Sequence, residues 1–292
     1  MAMDQAITAG ISILFDGIAY AMLLFMISVG LSVTMGLMGF VNLAHGAFAM
    51  VGGYVLVVLL DGAGVGFFTA LLMVFAIVAV LSIPFERLLY APLYRASELD
   101  QVLMSIGLVF AAIGAVTFVF GPSPQSIRVP GILDGQIDIG IRHVPAYRAF
   151  VIAAGFATAL ALWYGIDRTI IGARIRAAVD NRTMARSVGI NVERLFMLTF
   201  ALGSGLAAVG GGLAVNIIGV SPRFAFTYLV FFLIVVAVGG LGSVRGAFAA
   251  ALVLGIVDTG AKYLWPEGGA FFIYALTVAI LLVRPQGLFG RA

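Results

Sequence analysis

Apolar residues run along the chain in nine long stretches, at about 10–34, 38–60, 65–86, 99–120, 148–166, 195–219, 226–242, 246–264 and 270–283, with polar joints between them. A helix needs roughly 20 apolar residues to cross about 30 Å of hydrocarbon, so these stretches predict membrane spans. The second stretch breaks the pattern. Gly36, Gly39 and Gly46 interrupt it, and Asn42 and His45 sit where a lipid-facing helix carries only hydrocarbon. The expectation is therefore an all-α, polytopic membrane bundle of eight or nine transmembrane segments, the second a broken helix or half-span. Asn42, Gly46, Ala49 and Gly53 recur at helical spacing, which makes one narrow face small and weakly polar. Asn42 then reads as the cap of a half-helix beginning after Gly39, with His45 one turn on bonding across a packed interface or touching a substrate.

Basic residues set the expected orientation, because short loops rich in Lys and Arg stay on the cytoplasmic side. One side collects Arg87, Arg95, Arg168, Arg174, Arg176, Arg182, Arg186, Arg194, Arg245, Arg284 and Arg291; the other holds Arg128, Arg142, Arg148, Arg223 and Lys262. With nine spans this bias places the N-terminus outside and the C-terminus inside. Two joints are long enough to carry structure. The outer one, 121–147, contains an alternating run with Ile137, Ile139 and Ile141 on one side, which fits a short hairpin, a plug over an outer cavity, or a connector packed on helix ends. The inner one, 167–194, is dense in arginine and should form an exposed helical hairpin. Ile175, Ala178, Val179 and Arg182 fall on one helical face, and Gly189 supplies a stop.

Composition narrows the function classes. Of 292 residues, 63% are hydrophobic and 10% charged, so residues 1–292 make one transmembrane domain with no room for a soluble one. The start, MAMDQAITAG, lacks the basic n-region of a cleavable signal, so the first span is expected to be retained. There are no cysteines, and His45 and His143 lie far apart without neighbouring ligands, so no metal site is expected. Lys262 is the single lysine and no P-loop sequence is present, so ATP-driven work must come from another subunit. No G-x-S-x-G or H-E-x-x-H occurs, which leaves a membrane enzyme without a nucleophile or base. The intramembrane acids are Asp16, near the end of its span, and Asp258, which has Lys262 four residues on and reads as half of an ion pair. Gly203, Ala207 and Gly211 form a small-residue ladder followed by Asn216, and GGLGSVRGAF at 239–248 breaks a helix and echoes the GAF of 46–48.

Three segments, GLSVTMGLMGFVNLAHGAFAMVGGY (30–54), GARIRAAVDNRTMARSVGINV (172–192) and GGLGSVRGAF, resemble the Liv-type membrane permeases of branched-chain amino acid ABC transporters. The resemblance spans nearly the whole chain and is nearest the smaller of that system's two permeases. It implies a non-catalytic importer subunit of a bacterial inner membrane. Its expected partners are a second related permease, two cytoplasmic ABC ATPases that use ATP and Mg, and a periplasmic substrate-binding protein. No cofactor is expected on this chain, and no nucleic acid among its partners beside membrane lipid. The inner loop then resembles the segment that couples to an ATPase, with Arg174, Arg176, Asp180, Arg182, Ala185, Arg186, Gly189 and Ile190 as its residues. Ala185 and Gly189 match the Ala-x-x-x-Gly of that motif, whereas Thr183 stands where an acid is expected and the later I-x-L-P is absent. Asn42, His45, Gly46, Ala49, Gly53 and Asn216 are the expected path-lining or substrate-facing residues. Branched-chain amino acids are the default substrate, since similar permeases also serve urea, short amides and aromatic acids. The competing reading is an independent secondary transporter or channel using Asp16, Asp258 or His45 as ion or proton sites.

Overall fold

A computed structural model describes residues 2–40, 42–138, 140 and 143–290. All nine apolar stretches contain helix: α1 (Ala2–Met38), α2 (His45–Val57), α3 (Phe67–Phe85), α4 (Glu98–Phe120), α5 (Ala146–Arg168), α8 (Val192–Ile218), α9 (Phe224–Gly239), α10 (Val244–Leu264) and α11 (Gly269–Val283), with α6 (Ile170–Asp180) and α7 (Arg182–Ser187) in the inner loop. Counting the turns that extend α2 and α3, seven of them are long and apolar enough to cross a membrane. The apolar helices α9 and α11 have 16 and 15 residues, about 24 and 22 Å at 1.5 Å per residue. The protein is a multi-pass, all-α membrane bundle.

Helices α1, α2 and α8 form the buried centre, while α3, α4 and α5 turn most of their apolar surface outward. Lipid is as apolar as leucine, so helices in a membrane associate through close packing rather than hydrophobic exclusion. Small residues make that possible here. Gly30 of α1 meets Gly203 of α8, and Gly211 lies so close to α2 that a Cβ there would stand 1.9 Å from the Ala49 carbonyl oxygen. Along α10, α1 runs antiparallel, with Gly17 against Ile256 and Gly36 against Gly242. Phe48 of α2 packs on Phe85 and Phe200, and Tyr54 on Phe120, so α2 runs from the end where α3 finishes toward the end where α4 finishes.

The second stretch is broken as expected, at Gly39, one of the three glycines that interrupt it. Gly39, at φ +58°, ends α1 in a conformation that other residues rarely adopt, and residues 39, 40 and 42–44 form a non-helical link. Asn42 does not cap α2. The N-cap is Ala44, whose side chain has no polar atom to cap with, and the Asn42 amide oxygen accepts from the buried Tyr90 hydroxyl.

The outer loop does form a hairpin, with β1 (Gln136–Asp138) antiparallel to β2 (His143–Pro145) and Ile137 opposite Val144. Ile137 is exposed, and a bridge from Gln125 to Val220 ties the loop to the α8–α9 joint. Ile139, Ile141, Arg142 and Arg291 lie outside the described residues. In the inner loop each short helix is capped by a side chain: Thr169 accepts from Gly172 N, and Asn181 from Met184 N at 2.9 Å. Gly189, at φ +84°, follows the end of α7, the stop anticipated from its position.

Candidate functional site

The break between α1 and α2 builds a polar seam inside the bundle. His45, 1% exposed, opens α2 and sets its Nε2 2.9 Å from the Ile27 carbonyl oxygen of α1. A carbonyl can only accept, so Nε2 carries the proton and Nδ1 is left as an acceptor, which no group meets among the described residues. Asn42 Oδ1 accepts from the Tyr90 hydroxyl at 2.9 Å, while its Nδ2 has no partner among the described residues. Ser28 and Ser32, one turn apart on α1, and Ser204 on α8 are also buried with hydroxyls unpaired among the described residues. Buried polar groups are paired in the great majority of cases, and polar side chains kept at membrane depth belong to interiors and pathways rather than lipid faces.

Below the seam sits an apolar cluster of Phe40, Tyr90, Ala178, Ala185, Phe196 and Phe200 with their neighbours. Phe40 from the link packs on Tyr90 with ring centres 5.1 Å apart and planes tilted by 58°, and the Tyr90 ring lies 4.9 Å from Phe200. Ala178 and Ala185 come from α6 and α7, so the inner loop and the link share one core. Arg182 completes the join: its guanidinium lies 5.0 Å over the Phe196 ring and reaches toward Gly39. Beside this cluster a groove of about 780 Å³ is lined by Glu86, Arg87, Tyr94, Arg182, Arg186 and Arg194. Glu86 is buried there and accepts from the Tyr94 hydroxyl at 2.5 Å.

The expected path residues divide. Asn42 and His45 share the seam. Gly46 lies against the Ala225 carbonyl of α9, Ala49 against Gly211, and Gly53 against Val215 and Val220, so all three form interhelical contacts in this structure. Asn216 is half-buried near the far end of α8, away from the seam. Among the loop residues, Ala185 is buried in the cluster and Arg182, Arg176 and Ile190 are half-buried, Arg176 donating to the Ile166 carbonyl. Arg174, Asp180, Arg186 and Gly189 are exposed, and Arg186 pairs with Glu193 at 2.6 Å. Between them α6, α7 and the turn after them expose Val179, Met184 and Val188, an apolar strip on a charged surface.

Asp16 and Asp258, the two acids singled out within the apolar stretches, are both paired. Asp16 bonds to Arg148 of α5, a partner that sequence spacing alone could not supply, and Asp258 bonds to Lys262 at 2.6 Å as anticipated. Tyr90 and Phe40 were not singled out from the sequence. Ser28 and Ser32 left a readable signal, a polar i, i+4 pair in an otherwise apolar span.

A family described as branched-chain amino acid transport system permease component matches residues 13–281. The chain is 28% identical to the high-affinity branched-chain amino acid transport system permease protein LivH of Salmonella typhimurium, over 95% of this chain and 94% of that protein. It is 25% identical to BraD of Pseudomonas aeruginosa, over 95% of each, and 26% identical to LivM of Escherichia coli, over 91% of this chain and 68% of LivM. No solved structure matches it significantly.

Proposed function

The chain belongs to the family of branched-chain amino acid transport system permease components, and on that premise we propose that it is a membrane subunit of an ATP-driven importer for branched-chain or other small apolar amino acids. In this reading it hydrolyses nothing itself. Two cytoplasmic ABC ATPases bind α6 and α7, a second and related permease completes the pathway, and a periplasmic binding protein delivers substrate. Similarity to both LivH and LivM, two permeases whose names place them in one kind of transport system, supports a permease partner. The arginine-rich end, where Arg245 pairs with Asp167, would face the cytoplasm of a bacterial inner membrane, with the N-terminus outside and the C-terminus inside.

The observation that carries the mechanism is the shared core of Phe40, Tyr90, Ala178 and Ala185. An ATPase that grips the exposed strip of Val179, Met184 and Val188 would move α6 and α7 as they close. That motion reaches Phe40 directly and, through Tyr90, the Asn42 amide. The described link residues, 39, 40 and 42–44, are not helical, so the link would be the compliant part of the bundle. Asn42, His45, Gly46, Ala49 and Gly53 would then line or gate the path when α2 shifts against α8 and α9, with Asn216 toward the outer end.

Deleting 174–189 is expected to release the ATPases from detergent extracts; recovery of an intact, coupled complex would refute the docking assignment. An ion-coupled carrier would need Asp16, Asp258 or His45 to titrate during transport. ATP-independent uptake by this chain alone in liposomes would establish it.

A further inference from the structure

Between α5 and α10 an apolar groove of about 260 Å³ is lined by Phe156, Leu160, Trp163 and Phe248 and ends at Arg245. Its floor is fixed, because the Phe248 ring packs edge-on against both Phe25 and Phe156. Its walls are open, with Phe156, Leu160 and Trp163 all exposed. A second cavity, of about 230 Å³, continues from it: Trp163, Val244 and Arg245 line both, and Asp167, Arg176 and Ser243 belong to the second alone. The two together change from wholly apolar to charged over a short distance. Phe156 and Asp167 stand about 16 Å apart along α5 at 1.5 Å per residue. That is about half of the roughly 30 Å of hydrocarbon in a bilayer, the depth of one leaflet.

The charged cavity holds two cations against one anion. Arg245 donates to Asp167 through Nη2 and lies 5.2 Å over the Trp163 ring, yet its side chain is 61% exposed and its other donors face outward from that pair. Arg176 gives one donor to the Ile166 carbonyl and is in no ion pair among the described residues. One positive charge is therefore left over, at the arginine-rich end of the bundle and beside a tryptophan of the kind that marks a membrane surface. Basic pockets between spanning helices at that level suit lipid phosphates.

We infer that this composite cavity is a binding site for a single anionic glycerophospholipid. Its phosphate lies between Arg176 and Arg245, and one acyl chain lies along Phe156, Leu160 and Phe248. A soluble phosphate would use the charged cavity and leave the groove beside it empty, whereas a lipid fills both. Arg176 belongs to α6 and Arg245 to α10, so a phosphate held between them ties the inner loop to the bundle. The inference needs only that the chain spans a membrane, and it stands or falls apart from the importer reading.

The chain has two tryptophans, Trp163 in the site and Trp265 in the α10–α11 joint, so each serves as a local reporter once the other is replaced by Phe. The full chain is placed in bilayers that mix phosphatidylcholine with phosphatidylglycerol, one of the two brominated near the carbonyl end of its chains, and quenching gives the relative association of the two lipids at each tryptophan. In Trp265→Phe, phosphatidylglycerol is expected to be favoured at Trp163 by about fivefold, the worth of one unpaired cation beside an anionic headgroup, with near parity at Trp265 in Trp163→Phe. Arg245→Gln should bring Trp163 to parity, and Asp167→Asn should raise the preference about fivefold further. Both substitutions break the same ion pair, so damage to the fold would move them together, whereas the site moves them in opposite directions. Arg176→Gln, which leaves that pair intact, should also bring Trp163 to parity. Equal preference at the two tryptophans, or a shift of the same sign in Arg245→Gln and Asp167→Asn, overturns the site. Relief of quenching at Trp163 by millimolar inorganic phosphate assigns the charged cavity to a soluble anion and overturns the lipid.

Discussion

Replacing Tyr90 with Phe deletes one oxygen atom and tests whether the Tyr90–Asn42 bond holds the link in place. Tyr90 is fully buried and Asn42 is 2% exposed, so no solvent can take over the lost bond. Hydrogen bonds between membrane helices average about 0.6 kcal/mol and reach about 1.7. Among the described residues the Asn42 amide already lacks a partner at Nδ2, and the change would strip Oδ1 as well, leaving a buried polar group unsatisfied, which costs about 1–3 kcal/mol. The expected loss for Tyr90→Phe is therefore about 1–2 kcal/mol, and Asn42→Leu, which strands the tyrosine hydroxyl, should cost about the same. The double variant removes both polar partners and should also lose only about 1–2 kcal/mol, giving a coupling of about 1–2 kcal/mol. Denaturant titration in mixed micelles measures the three values. Transport coupling should fall in Tyr90→Phe more than stability alone explains, read as ATP hydrolysed per amino acid taken up by the assembled transporter. Additivity of the two substitutions to within about 0.5 kcal/mol, or wild-type stability and coupling in Tyr90→Phe, would refute the role given to this bond.

Two further outcomes follow from packing and exposure. Gly211→Ala would force the Ala49 backbone back by about 1.5 Å to reach ordinary contact, an overpacking cost of about 1–3 kcal/mol; Gly107→Ala and Gly114→Ala on α4 meet nothing within 4 Å and should be neutral or stabilising, a contrast that thermal melts of the three purified variants would show. Met184→Asp and Val188→Asp, at side chains 62% and 68% exposed, should leave permease stability within about 0.5 kcal/mol of wild type yet abolish ATPase co-purification, and retention of both ATPases would rule out the apolar strip as their docking surface.

The chain by itself determined its class, its segments and its breaks. Long apolar runs in a chain with 10% charged residues can only be satisfied in lipid, and intrahelical hydrogen bonding makes each run a helix whatever its neighbours. Gly39 and Gly189 were legible as breaks because a positive φ is a local requirement. The i, i+4 pair of Asp258 and Lys262 was legible because both residues lie on one helix. What the tertiary structure alone decided is how distant residues meet. Asp16 finds Arg148 across 132 positions of chain, and the Asn42 that periodicity assigned to a helix cap is taken by Tyr90 across 48. Small residues show the same division: their spacing announced close contacts, yet only the folded bundle shows Gly203 serving α1 and Gly211 serving α2. Periodicity fixes which face a residue occupies. The partner waiting on that face depends on helix order and crossing points, which are properties of the whole bundle.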